Sequence, residues 1–216
     1  MRTHAQDGMS LYGSSGSRKY LNAAERGRFV AAADQLSPKE RRFCLTLRWS
    51  GARISEALAL TPIAFDIDSG VAAFHTLKRR EPGFVRQVPL PGNLLFELNT
   101  EFDIRGAQCD PAKGNQRLWK WSRTTAWRRI KRVMAAAHIA GAQAMPKGLR
   151  HGFGVNAFQS GVPPHLVQRW LGHASLETTA IYADVIGPDE RAFAERMWLS
   201  GRPSARASNS ESLILI

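Results

Sequence analysis

Apolar residues along this chain recur mostly at the three- and four-residue spacing of helices, and in one interval the period drops to two. Asn22 followed by Glu25 reads as a capping box opening a helix to about Gln35. Ser37 and Glu40 repeat the signal with Pro38 at the first helical position, and Phe43, Leu45, Leu47 and Trp49 follow until Gly51. Between residues 63 and 91 the pattern predicts three strands, Ala64–Asp68, Val71–Lys78 and Phe84–Leu90. Turns at Ser69-Gly70 and Arg79–Gly83 join them into a small antiparallel sheet. Residues 92–104 then read as a helix with Leu94, Leu95, Leu98 and Phe102 on one stripe, and residues 105–117 as a loop. Ser122 caps a helix of about sixteen residues whose Ile130, Val133, Met134 and Ala137 face inward. Lys147–Ser160 carries Leu149, Phe153 and Ala157 at helical spacing and stops at Gly161. Pro163-Pro164 open a short helix with Leu166, Val167, Trp170 and Leu171 on one face, ended by Gly172; Ser175 caps another that carries Tyr182. A last helix runs from Gly187-Pro188-Asp189-Glu190 to about Leu199, with Ala192, Phe193, Met197 and Trp198 apolar.

These elements predict an α+β class, mostly helical, with a small three-stranded antiparallel sheet. The polar, glycine- and serine-rich residues 1–17 read as a flexible arm, residues 18–199 as one domain, and residues 200–216 as a tail. The tail's apolar end, Leu213–Ile216, has no role that the sequence supplies.

With 216 residues, 44% of them hydrophobic, the chain is long enough to bury a full core. A net charge of +12 makes a polyanion the expected partner, either a nucleic acid or an anionic membrane surface. No stretch approaches the ~18 apolar residues of a membrane span. Met1–Gly8 lacks the apolar run of a signal peptide, so the expected location is the cytosol. Cys44 and Cys109 make neither a metal-ligand spacing nor a disulfide framework, so no metal or cofactor is expected. The charge is concentrated in Lys120, Arg123, Arg128, Arg129, Lys131 and Arg132, with no acid between Asp110 and Glu177. A helix with that outer face suits a DNA groove. The interleaved Trp119, Trp121 and Trp127 read as core residues.

The candidate chemistry lies in two stretches. Lys147, Arg150, His151, His173 and Tyr182 fall on short helices with tight turns, which can gather distant polar residues on one surface. In the second, Ser50-Gly51-Ala52-Arg53-Ile54-Ser55-Glu56 opens a helix, and helix N-termini favour anions. Arginine stabilises a phosphodiester under attack with planar donors that keep their proton. A tyrosine that attacks phosphorus stores the ester's energy in a covalent bond, but it needs positive neighbours or a base to do so.

The ordered set Lys147-x-x-Arg150-His151, then Leu171-Gly172-His173, then Tyr182 resembles the signature of the tyrosine recombinase (phage integrase) family. Its first member is lysine where histidine is commoner. Gly51-Ala52-Arg53-Ile54-Ser55-Glu56 is similar to the turn that carries that family's first arginine. The resemblance covers about residues 18–199 and implies that family's catalytic-domain fold. It implies that Tyr182 attacks the scissile phosphate and leaves a 3′-phosphotyrosyl bond and a free 5′ hydroxyl. Arg53 and Arg150 would neutralise the phosphate oxygens, and Lys147 and His173 would donate to it or handle the tyrosine proton. Lys78, on the hairpin between the second and third strands with Arg79 and Arg80 beside it, would protonate the leaving oxygen. Glu56 and His151 would support the site. The implied partners are double-stranded DNA, a homotetramer on two DNA sites that is monomeric when free, and accessory DNA-bending proteins. The length resembles that of small single-domain members such as the recombinases that invert fimbrial promoter segments.

Three other readings fit parts of this pattern. A type IB topoisomerase shares the chemistry on one duplex. A DNA-binding regulator descended from a recombinase would share the fold and need no nucleophile. A protein recruited to membranes by charge alone would need neither.

Overall fold

The computed structural model describes residues 10–76 and 84–183, together with Ala194, Glu195, Met197 and Trp198. The chain divides into two units, residues 1–184 and residues 185–216. In the second, the four described residues are helical, within the interval where the sequence predicts the last helix. Residues 1–9 of the arm and the tail from residue 200 lie outside the described residues.

Residues 10–17, read from sequence as part of a flexible arm, instead form a tied loop. Leu11 is buried, Lys19 N–H donates to the Leu11 carbonyl at 2.8 Å, and Tyr12 bridges to Arg18. A glycine–serine run suits a tight turn as well as a linker, and the burial of Leu11 decides between them.

Helix α1 (Ala23–Ala33) opens with both halves of the capping box. Asn22 Oδ1 accepts from Glu25 N–H at 2.9 Å, and the Glu25 carboxylate accepts from Asn22 N–H at 3.0 Å. Helix α2 (Pro38–Ser50) starts on its proline, but Ser37 does not cap it: the hydroxyl donates to the Glu40 carboxylate at 3.2 Å. Gly51 ends α2 with φ 61°, and a Cβ there would meet the Phe153 ring and Leu171. Glycine is required on both counts. The chain re-enters helix at once as α3 (Ile54–Leu58), and a 3₁₀ turn at Pro62–Ala64 leads to the sheet.

Strands β1 (Phe65–Asp66), β2 (Val71–His75) and β3 (Val85–Pro89) form an antiparallel sheet in that order. Ala72 sits opposite both Phe65 and Val88, and Phe74 opposite Arg86. The alternation in β3 buries Arg86 and Val88 and exposes their neighbours. The hairpin between β2 and β3, with Lys78, Arg79 and Arg80, lies outside the described residues.

Helix α4 (Gly92–Phe102) buries Leu94, Leu95 and Leu98. The predicted loop after it contains two short helices, α5 (Ile104–Gln108) and α6 (Pro111–Gly114), the latter capped by Asp110. One turn is too short to display a helical period, so the sequence pattern missed both. Gln108 pins the segment to the sheet region by donating to the carbonyls of Pro62 and Phe65. Helix α7 (Arg123–Ala136) begins at the predicted cap, with Ser122 Oγ accepting from Thr125 N–H at 3.0 Å. Then come α8 (Pro146–Gln159), α9 (Pro164–Leu171) and α10 (Glu177–Ala180). Phe29, Phe43, Leu47, Leu98, Ile130 and Leu149 form the core among α1, α2, α4, α7 and α8. Trp119 is part of it, edge-on to Phe43 and Phe102, with its indole N–H donating to the Lys39 carbonyl. Trp121 is half-buried, whereas Trp127, also read as core, is exposed.

Candidate active site

The site is assembled where three helix ends meet. The turn at Gly51 places Arg53 at the N-cap of α3, its side chain one-third exposed. Glu56, one turn on, is almost wholly buried and serves two arginines. Its carboxylate accepts from Arg53 N–H at 2.8 Å and Arg53 Nη1 at 2.7 Å, and from Arg86 Nη2 at 2.6 Å. Burial alone would raise the Glu56 pKa, but Arg86 and Arg53 carry it below the ordinary carboxylate value. Arg86 also donates from Nε to the Trp170 carbonyl at 2.7 Å and from Nη1 to Thr76 Oγ1 at 3.0 Å. One carboxylate and one guanidinium thus lock β3, α3 and the end of α9 together.

Arg150 lies on α8 and is buried. Nη1 donates to the Gly51 carbonyl at 2.7 Å and Nη2 to the Leu171 carbonyl at 2.5 Å. Both acceptors are carbonyls at helix C-termini, which suit a cation. Burial and the nearby Arg53 charge push its pKa down to about 9, which still leaves the guanidinium charged at neutral pH.

Tyr182 lies in the turn just past α10 rather than on the helix, and is 2% exposed. Its ring rests on one stripe of α8. A Cβ on Gly154 would fall 2.5 Å from the ring, Phe158 lies 6.1 Å away between centroids, and His151 Nδ1 is 3.1 Å from the hydroxyl. His173 is nearly parallel to the ring, with centroids 6.2 Å apart and planes 11° apart, and its Nδ1 pairs with Thr179 Oγ1 at 3.0 Å. Burial raises the Tyr182 pKa to about 12, against the opposing pull of Arg150 and Arg53. Burial, with the charges of Lys147 and Arg150, holds His151 near 4. Burial, with Arg150 and Arg53, holds His173 near 3. Both imidazoles are therefore neutral at pH 7.

Arg53, Lys147, Arg150, His151, His173 and Tyr182 line one cleft of about 700 Å³, with Arg123 and Trp127 of α7 also on its wall. This arrangement offers cationic and neutral donors to an anion of phosphate size beside a phenol. The rest of the predicted basic face divides. Arg128 is exposed, and so is Lys120, whose Nζ donates to Gln116 Oε1 at 3.4 Å. Arg129 and Arg132 both pair with Glu40 of α2, Arg129 also lies over the Trp121 ring, and Lys131 donates to the Ala144 carbonyl. Those three do not simply face outward as the sequence suggested: an acid far away in the chain is folded against the two arginines, and a backbone carbonyl takes the lysine. Arg86 escaped the sequence reading altogether. The available signal was an arginine two residues from Val88, on the inward side of a strand. Among the described residues no cluster of histidine, cysteine and carboxylate side chains could hold a metal ion, and no helix is long and apolar enough to cross a membrane.

A mostly helical domain with a three-stranded sheet, whose cleft sets two arginines beside a buried tyrosine, defines the catalytic-domain class of the tyrosine recombinases. The sequence matches the phage integrase family over residues 19–186, and the chain belongs to that family. It is 28% identical over 170 residues to the tyrosine recombinase XerA of Thermococcus kodakarensis, covering 77% of this chain and 58% of the relative. It is 28% identical over 156 residues to the tyrosine recombinase XerD of Yersinia pestis, covering 69% and 51%. The chain thus spans a little over half the length of these curated relatives. Among solved structures, XerA recombinase superposes with a TM-score of 0.66 at 23% identity, covering 86% of this chain and 66% of that one. The catalytic domain of bacteriophage HP1 integrase gives 0.59 at 22%, covering 84% and 96%. The XerH site-specific recombinase bound to its difH substrate in a pre-cleavage complex gives 0.66 at 20%, covering 87% and 59%.

Proposed function

We propose that this chain is the catalytic domain of a site-specific recombinase that cuts and rejoins duplex DNA through a 3′-phosphotyrosyl intermediate. The observation that carries the reading is a single tyrosine seated in a cleft whose other walls present Arg53, Arg150, Lys147 and His173. The scissile phosphate binds among these donors, where the two guanidiniums offset the charge that grows on its oxygens. Arg150 is held by two carbonyls and Arg53 by Glu56, so neither needs to reorganise when the phosphate arrives. His173 supports the phosphate from beside the tyrosine ring, and Lys147 from the N-terminal turn of α8. Tyr182 Oη bonds to phosphorus, the bond to the 5′ oxygen breaks, and Lys78 supplies that oxygen's proton. Attack by the 5′ hydroxyl of a partner strand on the phosphotyrosine completes exchange, and a second round resolves the junction.

Double-stranded DNA is the partner, approached through Arg123 and Arg128 with Lys120, Arg79 and Arg80 as further phosphate contacts; Arg129, Lys131 and Arg132 serve mainly to set the pose of α7. Four protomers act on two sites, with accessory DNA-bending proteins, in the cytosol or nucleoid. The named relatives are recombinases and integrases, which favours this reading over a topoisomerase, and a regulator has no need of a seated nucleophile.

The test is covalent trapping on nicked suicide duplexes from the repeats nearest the gene. A denaturation-resistant protein–DNA band with the wild type, absent with Tyr182→Phe, is expected. Equal bands from both would remove Tyr182 from the chemistry, and no band from either would remove the activity.

A further inference from the structure

Any attack by Tyr182 must dispose of the phenolic proton, and the cleft offers few places for it. Lys147, at the position where histidine is the commoner residue, carries an ammonium that donates and cannot accept. The arginines likewise only donate. His173 runs nearly parallel to the ring, with its Nδ1 committed to Thr179 Oγ1. Among the described residues, the group able to accept that touches the hydroxyl is His151 Nδ1, at 3.1 Å.

His151 has a second unusual feature. Its Nε2 is buried and has no hydrogen-bond partner among the described residues. Native folds rarely leave such an atom orphaned, and those that do repay an explanation. With the ring neutral, a proton on Nε2 leaves Nδ1 as a lone pair aimed at the tyrosine hydroxyl. His151, Gly154 and Phe158 lie on one stripe of α8, so the element that seats the ring also aims the acceptor.

We infer that His151, not Lys147 or His173, accepts the proton of Tyr182 during strand cleavage and returns it during strand joining. This rests on the recombinase reading above. As the Oη–P bond forms, the phenolic proton moves to His151 Nδ1 and the ring becomes imidazolium. As the P–O5′ bond breaks, the leaving oxygen takes a proton from the general acid. In joining, the 5′ hydroxyl attacks the phosphotyrosine, gives its proton back to that acid, and the departing phenolate recovers its own from His151. No net proton, metal or redox partner is consumed.

Among the described residues, the charges acting on His151 are Lys147 and Arg150 of α8 and Lys19 before α1, and the titratable group it touches is the neutral Tyr182 hydroxyl. All three cations oppose protonation of the ring. A phosphodiester entering the cleft cancels part of that field, so the imidazole becomes a competent base only when substrate is bound. Without DNA the hydroxyl stays protonated and inert.

Single-turnover cleavage separates this role from a structural one. The wild type is first shown to form its covalent adduct on a nicked duplex. On the same duplex His151→Asn, which keeps an acceptor near the Nδ1 position but no basicity, is expected to cleave about a hundredfold slower with unchanged DNA affinity. Placing 3,5-difluorotyrosine at position 182, whose phenol ionises more readily, is expected to recover most of that loss in His151→Asn. Nitrogen NMR of the free protein is expected to show His151 protonated on Nε2. Wild-type cleavage by His151→Asn, no recovery with the fluorinated tyrosine, or a proton on Nδ1 would each overturn this inference while leaving the recombinase reading intact. A wild type that traps no duplex would overturn both.

Discussion

Two cationic regions of this protein obey different physics. At the cleft and directly behind it, Arg150 and Arg86 are buried and each makes at least two hydrogen bonds to fixed acceptors, while Glu56 ties Arg53 to Arg86. On α7, Arg128 is exposed, and Arg132 pairs with Glu40 from a side chain 61% exposed. Buried charges hold position and stay strong because no water competes with them. Exposed ones act at a distance and fade with salt. The same residue type can therefore serve chemistry in one region and recruitment in the other, and burial tells which.

The sharpest way to break the comparison is Glu56→Gln. It leaves two arginines sharing a neutral partner, one of them fully buried, and should destabilise the fold by about 3–5 kcal/mol in denaturant titration. Arg132→Ala, at the exposed pair, should stay within about 1 kcal/mol. Equal costs would erase the distinction between the regions.

Next comes Arg150→Ala. By analogy with a lost oxyanion donor it should remove ~2.7–4 kcal/mol of transition-state stabilisation, a cleavage slowed on the order of a hundredfold or more in single-turnover assays. Gly154→Ala should act through geometry instead. Its methyl would fall where the Tyr182 ring now lies, and displacing the nucleophile by about 1 Å is expected to slow cleavage up to about a hundredfold with DNA affinity unchanged.

The pH dependence of stability is a smaller effect with a definite sign. His151 and His173 protonate near 6.5 in an unfolded chain but only near 4 and near 3 in the fold. The unfolded state binds more protons below about pH 6.5, so stability present above that value is lost as pH falls toward 4. Glu56 and Glu25, whose pKa values are lowered from 4.5, add their own loss only below that value. Between about pH 6.5 and pH 4.5 the melting temperature should therefore fall on acidification, and less steeply in His151→Asn. A flat wild-type profile would mean that the two rings are not held neutral. Smallest is Arg128→Ala, which should weaken DNA binding uniformly across sequences and reduce the salt slope by about 1. An unchanged slope would mean that this face only meets water.

Much of this was legible in the sequence, for identifiable reasons. The Asn22–Glu25 cap, the stops at Gly51 and Gly172 and the three strands are local signals, and each reappears in the fold. Arg53, Lys147, Arg150, His173 and Tyr182, named from the resemblance to the family's signature, line one cleft. What local pattern could not carry was pairing across the chain. Arg86 finds Glu56 from thirty positions away, Glu40 captures Arg129 and Arg132 from α7, and Leu11 turns part of a linker-like segment into a tied loop. The contact of His151 with the Tyr182 hydroxyl was equally hidden, because the turn that carries Tyr182 folds back across α8.

The most direct test of the account is to digest the trapped protein–DNA adduct and locate the nucleotide by peptide mass spectrometry. The chain has three tyrosines, Tyr12, Tyr20 and Tyr182. A 3′-phosphonucleotide on the Tyr182 peptide is the predicted result. The same mass on a peptide holding Tyr12 or Tyr20, or on no tyrosine at all, would contradict it.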